Sequence, residues 1–195
     1  MAEPVPTSLL AALADLMKWL DAMKAPSMVI GGVAASVLGE PRLTQDVDAL
    51  AIVPEADWDI VLAGAAPFGI VPRIEDALEF CRRSRVLLMR HVASGIDLDI
   101  TFGGLSFEAT AVANCEVHSI GGLSLRLPRV EDLLIMKAIA RRPKDLQDIR
   151  GLLAAHPDAD MALVRRWVRE FATAMSMPDM LEEFEKLVAS GNPER

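Results

Sequence analysis

Tyrosine is missing from this 195-residue sequence, cysteine occurs only at Cys81 and Cys115, and histidine only three times. Two cysteines cannot supply a disulfide framework, so the fold must rest on its core, and a cytoplasmic location is the default expectation. His91, His118 and His156 are widely separated and no Cys-x-x-Cys occurs, which speaks against a zinc centre. No Gly-x-x-x-x-Gly-Lys loop is present, so a Walker-type phosphate site is ruled out, and neither is there a Gly-x-Ser-x-Gly nucleophile elbow. No stretch approaches eighteen uncharged apolar residues, and no basic segment leads into an apolar run at the N-terminus. Neither membrane spanning nor export is therefore expected. Aromatic residues make up only 5%, and the net charge is −8. Broad duplex binding needs a basic face and single-strand binding needs stacking platforms, so both are disfavoured. A small nucleotide substrate suits this charge better. What remains is 52% hydrophobic and 25% charged, an ordinary globular composition, long enough for one domain with a helical appendage.

The most informative stretch is Gly31-Gly32 followed by Arg42-Leu43-Thr44-Gln45-Asp46-Val47-Asp48. Met28–Ile30 reads as a strand, the two glycines as a turn, Val33–Leu38 as a short helix, and Val47–Val53 as a second strand. Glycine at such a turn lets backbone N–H groups approach a ligand, and the helix N-terminus beside it favours phosphate. Residues two apart on a strand share a face, so Asp46 and Asp48 project together, roughly 6–7 Å apart at Cα. Paired carboxylates beside a phosphate-binding turn are what a Mg²⁺–nucleotide site requires, since Mg²⁺ takes carboxylate and phosphate oxygens.

Elsewhere the chain punctuates itself clearly. Residues 8–24 form an amphipathic helix closed by Pro26, with Leu9, Leu13, Leu16 and Leu20 at helical spacing. A helix is expected from Pro54-Glu55 to about Ala65, and Arg73–Cys81 is compatible with helix or irregular chain. Val86–Val92 and Ile96–Ile100 flank Ser94-Gly95 and read as a hairpin. The second of these strands alternates apolar and acidic residues, placing Asp97 and Asp99 on one face. Phe107–Ala113 reads as a helix, and Cys115–Ile120 with Leu123–Leu127 around Gly121-Gly122 as another hairpin, expected to extend the sheet. Helices follow from Pro128 to Arg141, after Pro143, over Met161–Met175 and over Pro178–Ala189, and 191–195 reads as a disordered tail.

Gly-Gly, a thirteen-residue gap, Asp46-x-Asp48 and a later acidic strand together resemble the polymerase-β-type nucleotidyltransferase superfamily. The resemblance implies a mixed α/β (α+β) sheet flanked by helices and transfer of a nucleoside monophosphate by two Mg²⁺ ions. Asp46 and Asp48 would be metal ligands and catalytic. It points to Asp97 first as the third carboxylate, although Asp99 stands where the pattern is usually apolar, so either can complete the set. The glycines, Arg42 and Thr44 would lie beside the nucleotide.

A second motif runs from Leu127-Pro128-Arg129-Val130-Glu131-Asp132-Leu133 through Lys137 to Arg141-Arg142-Pro143-Lys144-Asp145-Leu146-Gln147-Asp148. It resembles a bacterial subgroup, the AbiEii-like and related toxin–antitoxin nucleotidyltransferases. That resemblance implies that Lys137, Arg142 and Lys144 neutralise phosphates or an acidic acceptor, supported by Asp145 and Asp148, which are one helical turn apart. On this reading residues 1–127 form the catalytic core and 128–190 a helical segment. The partners would be a nucleoside triphosphate, a hydroxyl acceptor (a tRNA, a protein or a small molecule) and a cognate toxin or antitoxin protein.

Overall fold

The computed structural model describes residues 6–190, and the expected tail at 191–195 lies outside the described residues. The chain divides into two compact units. One runs to Val33 and resumes over Leu43–Pro128; the other joins Ala34–Arg42 to the residues from Arg129 onward.

The first unit opens with helix α1 (Thr7–Ala22), which buries Leu9, Leu13, Leu16, Met17, Trp19 and Leu20. Lys24 then adopts a left-handed φ of 53°, and the Ala25 amide donates to the Leu20 carbonyl at 2.9 Å. That back-bond closes the helix just before Pro26. Strand β1 (Ser27–Ile30) passes directly into helix α2 (Gly31–Leu38), so helical structure begins at the first glycine rather than after a separate turn. Next come strand β2 (Asp46–Ala51), a 3-10 turn over Glu55–Asp57 and helix α3 (Trp58–Ala63). Another 3-10 turn (Ala66–Phe68) leads to strand β3 (Ile70–Pro72) and helix α4 (Ala77–Ser84), which settles the segment that sequence left open. Strands β4 (Val86–His91) and β5 (Asp97–Phe102) form the expected hairpin, and helix α5 (Ser106–Ala113) follows.

These strands make one mixed sheet in the order β1-β2-β5-β4-β3. β2 and β5 are parallel, whereas the other three pairings are antiparallel. A parallel neighbour needs a long crossover, which the α3–β3–α4–β4 segment supplies. Val47 and Ala49 on β2, with Leu98, Ile100 and Phe102 on β5, are buried at alternate positions. The aspartates between them therefore face the other side. Trp58 anchors the core: it stacks on Phe102 with ring centroids 5.0 Å apart and donates its indole N–H to the Val53 carbonyl at 3.1 Å.

The second hairpin, β6 (Glu116–Ile120) and β7 (Leu123–Leu127), corrects an expectation. It stands as its own two-stranded sheet instead of extending the main one. At the free edge of β1, the Ser27 carbonyl accepts from Arg126 Nε at 2.8 Å, and the same guanidinium reaches Asp21 at 2.8 Å. A side-chain donor thus serves the edge that a strand ladder would otherwise occupy.

In the second unit, helices α6 (Val130–Ala140), α7 (Pro143–Ala155), α8 (Met161–Ala174) and α9 (Asp179–Ser190) pack together. Residues 34–42 join them through a close backbone approach. A side chain on Gly39 would press on the Leu152 amide at 3.1 Å, and one on Gly151 on the Glu40 amide at 3.1 Å. Among the described residues no helix is long and apolar enough to cross a membrane.

Candidate active site

Four carboxylates share one face of the first unit's sheet because β2 and β5 run parallel in register. Asp46 pairs with Asp97 and Asp48 with Asp99. Period-two alternation turns all four side chains to the same side, away from Val47 and Leu98. None of this adjacency is local: some fifty residues separate the two acidic pairs, and the crossover brings them together.

Gly31 sits against this face with a φ of 63°. A Cβ there would overlap the Asp48 carboxylate, lying 2.6 Å from its Cγ. Only glycine meets both demands, the left-handed backbone and the room for the carboxylate. Thr44 steadies the neighbour: its hydroxyl donates to Asp46 Oδ1 at 3.1 Å.

Asp97 and Asp99, which sequence could not tell apart, have different surroundings. Arg73, just beyond β3, reaches both, with Nη1 2.7 Å from Asp97 Oδ2 and Nη2 2.8 Å from Asp99 Oδ1. Arg90 on β4, directly across from Asp97 in register, donates to Asp97 Oδ1 at 2.8 Å. Both Asp97 oxygens are therefore taken by guanidinium groups. The hydrogen bond from Arg90, joined by that from Arg73, holds the Asp97 carboxyl below the usual carboxylate range against mild burial. Asp99 moves the opposite way. Burial above all pushes its carboxyl up; Arg73 offsets part of that rise, and repulsion from Asp48, Asp46 and Asp97 adds to it.

No protein-family model matches this chain, and no curated protein matches it. Solved structures do. The solution structure of the antibiotic-resistance factor ANT(2'')-Ia superposes with a TM-score of 0.59 at 15% identity, covering 91% of this chain and 99% of that one. The crystal structure of ANT(2'')-Ia in complex with adenylyl-2''-tobramycin gives 0.58 at 17%, covering 87% and 99%. The lincosamide antibiotic adenylyltransferase LnuA, lincomycin-bound, gives 0.51 at 14%, covering 78% and 98%. The chain has a nucleotidyltransferase fold.

Within this nucleotidyltransferase fold the donor set suits a hard dication: carboxylate oxygens, gathered on one face, whose mutual repulsion is already felt at Asp99. Among the described residues no three Asp, Glu, His or Cys side chains close around a common point. Arg73 and Arg90 together engage both oxygens of Asp97, whereas Asp99 takes Arg73 on Oδ1. Neither arginine was singled out from sequence. Arg90 alternates with buried neighbours on β4, a weak signal, while Arg73 lies in the segment whose structure the sequence left undecided.

The basic residues of the second motif lie in the second unit. Lys137 on α6 is only 2% exposed, and its ammonium donates to Asp145 at 3.0 Å and Asp148 at 2.7 Å. Asp148 also takes Arg42 in a fork, with Nε at 2.7 Å and Nη2 at 3.1 Å. Asp145 caps α7, accepting from the Arg142 amide at 3.1 Å and from Arg142 Nε at 2.7 Å. In the structure Lys144 is exposed, and Arg141 turns to Asp179 and Glu183 at 2.7 and 2.6 Å. Lys137, Asp145, Asp148 and Arg42 instead form a buried ion network that fastens the 34–42 segment to α7.

Proposed function

We propose that this chain transfers a nucleoside monophosphate from a nucleoside triphosphate to a hydroxyl of a small-molecule acceptor. The observation that carries the reading is the carboxylate face, with Asp48 fitted against the left-handed Gly31 and Asp99 directly across from it. The likeness in fold to adenylyltransferases of an aminoglycoside and a lincosamide supports a compact, hydroxyl-rich acceptor over a tRNA or a protein. Asp46, Asp48 and Asp99 would hold Mg²⁺, which when bound would neutralise much of the triphosphate charge.

The remaining work falls to the chain's own groups. Thr44 keeps Asp46 turned to the face, and the start of α2 at Gly31-Gly32 offers backbone N–H groups to phosphate. The acceptor oxygen bonds to the α-phosphorus, the bond to the bridging oxygen breaks, and pyrophosphate leaves. The acceptor's proton passes to the Asp99 carboxylate, which lies directly across from Asp48. Asp99 rather than Asp97 is favoured here because both Asp97 oxygens are already bound.

The test is pyrophosphate release from ATP, CTP, GTP and UTP with Mg²⁺, offering aminoglycosides, lincosamides and bulk tRNA as acceptors. Absence of triphosphate binding at millimolar concentration would sink the enzyme reading.

One observation favours a second reading: Arg73 and Arg90 already neutralise part of the acidic face. The fold would then serve as a catalytically weak partner of an AbiEii-like toxin–antitoxin pair. Co-purification of a stoichiometric partner with the native chain, without nucleotide turnover, would support it.

A further inference from the structure

Arg73 is placed unlike the other cations of the sheet face. It belongs to neither acidic strand, yet it reaches over β4 to bridge Asp97 and Asp99, with one guanidinium nitrogen on each. Its backbone is fixed independently of that contact, because the Arg73 amide donates to the Leu88 carbonyl at 3.0 Å. Leu88 is the register partner of Asp99, so the guanidinium is delivered to one particular carboxylate. Arg90 takes only Asp97 and could hold that carboxylate without help. What Arg73 adds is a positive charge on Asp99, the residue that faces Asp48 across the strand pair.

We propose that Arg73 is a built-in stand-in cation. It neutralises Asp99 while no dication is held, and it competes with a dication for that carboxylate. When Asp99 turns toward an ion held with Asp48, Arg73 remains on Asp97, which Arg90 keeps in place. Arg73 is thus a positioning residue that sets the metal affinity of the face and keeps four crowded carboxylates folded in the metal-free protein. This inference rests on the carboxylate face being a dication site.

The test is Mn²⁺ binding to the full chain, read from the electron paramagnetic resonance signal of free Mn²⁺, with thermal melting measured with and without the ion. Arg73→Met removes the competing charge and keeps the length. Unit charges a few ångströms apart at the protein surface interact strongly enough to shift an affinity by roughly tenfold. Arg73→Met should therefore bind Mn²⁺ about tenfold tighter than wild type. It should melt lower without metal and gain more from Mn²⁺ than wild type does. Arg73→Lys keeps a charge but cannot fork between two carboxylates, so it should fall between them. If Arg73→Met does not fold without metal, Arg73→Lys carries the comparison, and an affinity no tighter than wild type overturns the proposal. A purely structural arginine would lower the melting point and leave Mn²⁺ affinity unchanged or weaker, which also overturns it. Wild type failing to bind Mn²⁺ at millimolar concentration removes the site and this role together. Binding in wild type that Asp48→Asn abolishes, with no tightening in Arg73→Met, removes only the role given to Arg73.

Discussion

Replacing Lys137 tests whether the second motif is chemistry or scaffold. Its ammonium lies 3.0 Å from Asp145 and 2.7 Å from Asp148, and all three residues are buried. Removing one member of a buried ion pair costs about 3–5 kcal/mol, because the remaining charge is left without its partner. Here each carboxylate keeps one arginine, Arg142 on Asp145 and Arg42 on Asp148, so the lower end, about 3 kcal/mol, is expected. For a chain of this length that is a fall of roughly 6–12 °C in melting temperature. Lys137→Met retains the aliphatic packing and isolates the charge, whereas Lys137→Ala adds a cavity. Circular-dichroism melts of both variants read the effect, and activity is measured per folded molecule. A Lys137→Met protein melting within about 2 °C of wild type refutes the buried-network reasoning. A folded Lys137→Met that loses nucleotide affinity returns the lysine to the phosphates. The pH dependence supplies a second check. Burial raises the Asp145 and Asp148 carboxyls, but hydrogen bonds outweigh it and hold both below the usual value, from Arg142 and Lys137 at Asp145 and from Arg42 and Lys137 at Asp148. A depressed carboxyl contributes stability that is complete above its unfolded pKa, ~3.9, and is lost as pH falls through the folded value. The gap between wild type and Lys137→Met should therefore be constant near neutrality and narrow below about pH 4.

Three further outcomes are expected. Gly31→Ala imposes left-handed strain of about 1–2 kcal/mol and drives a methyl into the Asp48 carboxylate, so Mn²⁺ affinity should fall at least tenfold; wild-type affinity would show that the close approach is unimportant. Asp99→Asn should abolish transfer with the fold intact, while Asp97→Asn should retain measurable transfer and lower the melting point; steady-state assays giving the reverse order would make Asp97 the third carboxylate. Trp58→Ala, at a residue 1% exposed and stacked on Phe102, should cost about 3–5 kcal/mol in chemical denaturation, and a cost below about 1 kcal/mol would contradict the core assignment.

Much of the local structure was legible because its cause is local. The apolar period of α1, the Gly121-Gly122 hairpin and the alternation of Asp46, Val47 and Asp48 each encode a helix, a turn or a face within a few residues. The glycine turn needed one adjustment, since α2 starts at Gly31 itself.

What sequence by itself determined is that this is a mixed α/β protein with two acidic strands, each presenting a pair of aspartates to one side, and a glycine pair ahead of the first. Tertiary structure decided how those pieces meet. Parallel pairing of β2 with β5 sets Asp48 against Asp99, and no periodicity within either strand specifies its neighbour. The hairpin 116–127 forms its own sheet and meets the edge of β1 through the Arg126 side chain, a contact nearly a hundred residues apart in sequence that local pattern does not encode. Asp97 and Asp99 are equivalent in pattern and differ through burial and through Arg73, just past β3, and Arg90 on β4. An ion pair is chosen by where side chains end up in space, and that choice is made by the whole chain.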